Sequence, residues 1–103
     1  MKFKLGVSIN GIRPELILGV MVVAREFERR NLDVVITSGT DGTHSRTSLH
    51  YAGQAVDFRT RHATQQQIDE IVTEVNEAIG EHFDCIAEQT HIHLEYQPTR
   101  GIG

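Results

Sequence analysis

Thr90-His91-Ile92-His93-Leu94-Glu95-Tyr96 alternates strictly between two kinds of side chain. Successive side chains of an extended chain point to opposite faces. Thr90, Ile92, Leu94 and Tyr96 therefore make an apolar face, and His91, His93 and Glu95 the opposite one. One side of this strand is core, and the other presents two histidines together. Gln54-Ala55-Val56-Asp57-Phe58-Arg59 has the same period. Val56 and Phe58 share one face, while Ala55, Asp57 and Arg59 share the other. With both strands in one sheet, Asp57 and the histidine pair share its solvent side. His50 precedes Asp57 by seven positions, with Gly53 between them. Glycine permits the tight turn that would bring His50 back over the start of the strand.

Working outward, Pro14-Glu15 opens a helical pattern, since proline suits a first turn whose N–H groups have no intrahelical partner. Ile17, Val20, Met21, Ala24 and Phe27 recur at helical spacing as the expected buried stripe, and Asn31 marks the stop. Leu32 to Thr37 is rich in Val and Ile and reads as a buried strand. Residues 38 to 50 carry little apolar material and read as a long loop. Thr64 and Gln67 have capping-box spacing ahead of a second helix. Its buried stripe is Ile68, Ile71, Val72, Val75 and Ile79, and Gly80 ends it. Phe83–Ala87 and Thr90–Tyr96 are two further strands, and the tail past Pro98 is expected to fray. The order helix, strand, strand, helix, strand, strand predicts an α+β domain: a small antiparallel sheet of about four strands packed against two helices.

The chain of 103 residues fits one domain, 1–103. With 39% hydrophobic and 23% charged residues it is expected to fold rather than stay disordered. A net charge of −4 argues against a nucleic-acid binder, which carries a basic stripe. The longest apolar run of the first helix, Leu16 to Ala24, is far short of the ~20 residues of a membrane span. No signal peptide is read in Met1 to Asn10, so the chain is expected to be cytoplasmic as synthesised. Cys85 is the one cysteine. It stands among apolar neighbours and reads as a small buried residue.

Zinc takes nitrogen, oxygen and sulfur ligands in a tetrahedron, and a catalytic site leaves the fourth position to water. Two histidines and an aspartate meet that count, with a nearby carboxylate or histidine as base. Glu88 and His91 are the candidates for the base. A regular strand from 88 to 96 would turn Glu88 toward the core, so Glu88 reaches the polar face only through a turn at Gln89-Thr90. A hairpin between the last two strands requires such a reversal.

At Ser48-Leu49-His50, Asp57, Glu88 and His91-Ile92-His93 the sequence resembles the zinc D-alanyl-D-alanine metallopeptidases, the M15 peptidase group. That group includes the L-alanyl-D-glutamate endopeptidases of phage endolysins. The zinc-binding domain of hedgehog signalling proteins shares the same core. The resemblance implies one zinc per chain, held by His50, Asp57 and His93, with Glu88, His91 or both assisting the attacking water. In an alignment on the acidic residue three before a histidine, His91 takes the ligand place instead. Arg46 is the nearest match to the family's substrate-carboxylate arginine, and Ser48 joins it on the substrate side. The implied activity is hydrolysis of peptidoglycan stem peptides by a monomeric enzyme, reaching the wall by holin- or virion-mediated release if phage-encoded. The competing expectation is a non-catalytic zinc-binding module, such as a phage tail or assembly component.

Overall fold

A computed structural model describes residues 1–40 and 53–98 of the chain. Its elements are β1 (Lys2–Phe3), α1 (Pro14–Glu28), β2 (Val35–Ser38), β3 (Ala55–Arg59), α2 (Gln65–Ile79), β4 (Phe83–Ala87) and β5 (His91–Tyr96). The strands form one sheet in the order β1-β2-β3-β5-β4. This is the expected α+β arrangement of a small sheet on two helices, with one addition. β1 pairs in parallel with β2, so the sheet is mixed and has five strands. Two residues, Lys2 and Phe3, have no period to read, and β1 exists only because β2 offers it an edge.

The expected helix signals are all used. Pro14 sits in the first turn of α1, and Asn31 takes a positive φ of 56° just past its end, a conformation asparagine tolerates better than most residues. Thr64 Oγ1 accepts from the Gln67 N–H at 3.1 Å, and Gln67 Oε1 accepts from the Thr64 N–H at 2.9 Å. The capping box is therefore closed both ways.

Both helices pack on one face of the sheet. Leu16, Val23 and Phe27 of α1 and Ile71 and Val75 of α2 are fully buried against Val56, Phe58, Ile92 and Leu94. The stripe expected for α1 is displaced. Ile17 and Met21 are 44% and 61% exposed, and Leu16 and Val23 take the core positions. Residues 16 to 24 are apolar almost throughout, so their period carries no phase, and contact with the sheet chooses which side is buried.

Two polar devices complete the frame. Asn76 of α2 donates from Nδ2 to the Cys85 carbonyl at 2.8 Å and accepts from the Cys85 N–H at 2.9 Å. An exposed strand edge invites pairing with another chain, and this clamp occupies the middle of the β4 edge. Glu26 of α1, buried, accepts from Arg29 and Arg30, each at 3.1 Å. Arg30 also reaches Glu70 and Glu74 of α2 at 3.4 and 3.6 Å. Burial alone would raise the Glu26 carboxyl, but a hydrogen bond shared with the Glu74 carboxyl, those accepted from Arg30 and Arg29, and the Arg29 charge outweigh it and hold it below its ordinary 4.5. A depressed folded-state value stabilises the fold above 4.5, and that contribution disappears as pH falls through the lowered value. Glu26→Gln is expected to cost about 1.5–3 kcal/mol at neutral pH, the range for hydrogen bonds to charged groups. The gap between wild type and variant should close on acidification, as read by urea unfolding from pH 7 down to pH 3.

Candidate functional site

The antiparallel register of β3 and β5 aligns three cross-strand pairs on the face away from the helices: Ala55 with Glu95, Asp57 with His93, and Arg59 with His91. Directly opposed residues of an antiparallel pair share a face, so Asp57, His91, His93 and Glu95 stand together. The face is recessed rather than open. Asp57, His93 and Glu95 side chains are only 13–17% exposed, and Val35 and Ala55 on the sheet are buried.

His93 is held between two carboxylates. Its Nδ1 lies 2.9 Å from Asp57 Oδ1 and its Nε2 lies 3.1 Å from Glu95 Oε1. Carboxylates only accept, so both ring nitrogens need a proton, or a cation must replace one of them. The hydrogen bond with Asp57 raises the affinity of His93 for its proton, burial opposes it, and the charges of Asp57 and Glu95 add to the rise. His91 stands further off, with Nε2 3.7 Å from Asp57 Oδ1 and Nδ1 3.1 Å from Thr90 Oγ1.

β4 and β5 form a hairpin closed by Gln89-Thr90, with the Glu88 N–H donating to the His91 carbonyl at 2.8 Å. The turn puts Glu88 opposite His91, as the reversal in the sequence requires. Its side chain is nevertheless exposed. It lies on the β4 side of β5, whereas Asp57 lies on the β3 side, two strand spacings or about 10 Å away across the sheet.

Gly53 takes a left-handed conformation, while the return of His50 expected of it lies outside the described residues. It has φ of +74°, accepts from the Arg13 N–H at 2.9 Å, and its backbone packs so closely on the Gly11 carbonyl that a Cβ would collide with it. Arg46, Ser48 and His50 lie outside the described residues, as do most of the expected loop and the end of the expected frayed tail. Among the described residues, no group of three or more histidine, cysteine or acidic side chains is arranged so that it could hold a metal ion. Asp57 and His93 are the pair the fold brings together.

Sequence reading missed a cavity of about 570 Å³ flanking His91, with Lys4, Arg59 and Arg61 among the side chains lining it. The shared parity of Asp57 and Arg59 was the available signal. Cys85 is 3% exposed. Burial, with the Asp84 charge second, pushes its thiol up to about 12. The thiolate is the reactive form. Alkylation of native protein by iodoacetamide at pH 8 is expected to run on the order of 1,000-fold slower than in urea-unfolded protein. Comparable rates in the two states would contradict the burial.

The fold defines an α+β domain whose mixed sheet carries a recessed Asp–His face on the side away from the helices. The model of the Hedgehog amino-terminal signalling domain matches residues 12–95, and the chain belongs to that family. No curated protein and no solved structure matches it. The family match overturns the zinc-peptidase expectation. The chain is not an M15 D-alanyl-D-alanine peptidase or phage endolysin-type enzyme, and the hydrolytic roles given to Glu88 and His91 fall with it. The alternative of a phage tail or assembly module loses its support in the same way. The physical reason is that the expectation rested on a few residues in short motifs, whereas the match draws on the span from 12 to 95.

Proposed function

We propose that this chain is a protein-signalling module, acting by being recognised by another protein. The match of the Hedgehog signalling domain over residues 12–95 carries this reading. The recessed Asp57–His93 face, with the cavity beside it, is the concave surface available for recognition. The test is competition. The labelled chain is expected to bind saturably to cells that respond to a Hedgehog signalling domain, and to be displaced by that domain. No displacement at a large molar excess would overturn the reading.

Zinc, one ion per chain, is proposed at Asp57 and His93, with His50 as the third ligand on the sequence pattern. The donor set supports it. Zinc–ligand bonds of about 2.0–2.1 Å in a tetrahedron place neighbouring donor atoms about 3.3 Å apart. Asp57 Oδ1 and His93 Nδ1 are 2.9 Å apart, so a small relaxation accommodates the ion. Glu95 on the far nitrogen matches the carboxylate that commonly orients a metal-bound histidine. Bound there, zinc supplies a fixed positive charge between β3 and β5. Asp57 and His93 hold it, and Glu95 fixes the ring.

A further inference from the structure

We propose that the cavity beside His91 is a carboxylate-binding subsite that takes an acidic peptide segment of the partner. The cavity has a volume of about 570 Å³ and is lined, among the described residues, by Lys4, Thr37, Arg59, Arg61, Gln89, His91 and others, and none of these described residues is acidic. Among the described residues Lys4, Arg59 and Arg61 form no ion pair, whereas Lys2, Arg29 and Arg30 all do. Arg59 and His91 are moreover direct cross-strand partners. Three unpaired cations thus converge on one hollow of a chain whose net charge is −4.

Like charges held together without a counter-ion favour an anionic guest. Guanidinium groups match a carboxylate through paired, parallel N–H donors. The overall negative charge disfavours a long polyanion, which would meet repulsion along the rest of the surface. A short segment meets only the local cations. The volume falls within the ~300–1,000 Å³ usual for sites that enclose a small ligand. The Thr37 hydroxyl and the Gln89 amide offer hydrogen bonds that a peptide backbone can use. Recognition of acidic motifs by arginine clusters and capture of a C-terminal carboxylate are both established modes.

The inference rests on the reading of the chain as a recognition module, but not on the metal. Its test is an amide NMR titration of the whole chain, zinc-loaded and chelator-treated. The probes are acetyl-Gly-Glu-Gly-amide, acetyl-Gly-Gly-Gly with a free carboxylate, neutral acetyl-Gly-Gln-Gly-amide, and inorganic phosphate. The first two separate a side-chain carboxylate from a chain terminus. At least one of them is expected to shift the Thr37, Arg59, Arg61 and Gln89 signals saturably, with the neutral peptide silent. Arg59→Gln and, separately, the exposed Arg61→Gln should weaken that binding about tenfold or more, the scale of one charge-assisted hydrogen bond. Arg25→Gln, on the exposed side of α1, should leave it unchanged. Equal shifts with the neutral peptide, binding of phosphate but of neither carboxylate peptide, or full affinity in both cavity variants would each overturn the proposal. Peptide binding without competition on responsive cells would sink the signalling reading and leave the subsite standing.

Discussion

Asp57→Asn is expected to weaken zinc binding at least ~100-fold, because even groups that only orient a metal ligand by hydrogen bonding are worth 10–100-fold in metal affinity. Asparagine keeps the size of Asp57 and can still accept from His93 Nδ1, so the fold should survive. What it loses is the charge that faces His93 across 2.9 Å. His93→Gln should have a comparable effect. Glu95→Gln, acting through the far side of the ring, should cost about tenfold. Glu88→Gln should change nothing, since that side chain is exposed at the hairpin. Proton and metal compete for His93 Nδ1. Because the two carboxylates raise the proton affinity of His93, zinc binding should weaken as pH falls through the raised value. Titration of zinc against a chelator of known affinity checks all four variants. Wild-type stoichiometry and affinity in Asp57→Asn would remove Asp57 from the site.

Phe58→Ala, one residue along the same strand, is expected to cost about 3–5 kcal/mol of stability, the usual range for deleting a buried aromatic ring. Phe58 is fully buried. Its ring packs edge-on against Phe27 of α1 at 6.2 Å. It also lies in register with Ile36 on one side and Ile92 on the other. A domain of this size has roughly 5–15 kcal/mol in all, so the melting temperature should fall by about 15 °C or more. Leu18→Ala is the contrast. Leu18 is 65% exposed on α1, and truncation there should stay within about 0.5 kcal/mol. Urea denaturation followed by circular dichroism reads both. A cost below about 1.5 kcal/mol for Phe58→Ala would mean that this face of β3 is not the core.

Asp57 and Phe58 also show how much was legible beforehand. Alternation sends adjacent residues to opposite faces, so the split between a polar face with Asp57, His91 and His93 and an apolar face with Phe58, Ile92 and Leu94 could be read directly. The second helix was legible because its outer positions are polar and fix the phase of Ile71 and Val75. The first helix was not, since an apolar run from Leu16 to Ala24 fits the core in several rotations. The bulge between Ile36 and Ser38 and the cationic cavity were also hidden. Both depend on which strands become neighbours, and no local pattern encodes that.

The functional misreading has the same origin. Short motifs at Asp57, Glu88 and His91–His93 suggested an enzyme, but a few polar residues at short spacing mark a candidate site without fixing the function it serves.

By itself the sequence determined the α+β class, the helix ends at Pro14 and at Thr64 with Gln67, and the two faces of β3 and β5. Each follows from backbone sterics and periodicity within a few residues. Only the tertiary structure decided that Asp57 lies opposite His93 and Arg59 opposite His91. It also decided that Glu88 stands outside the cluster, and that Lys4, Arg59 and Arg61 share one hollow. Those relations are set by strand register and by contacts between distant segments, where packing energy rather than local preference makes the choice.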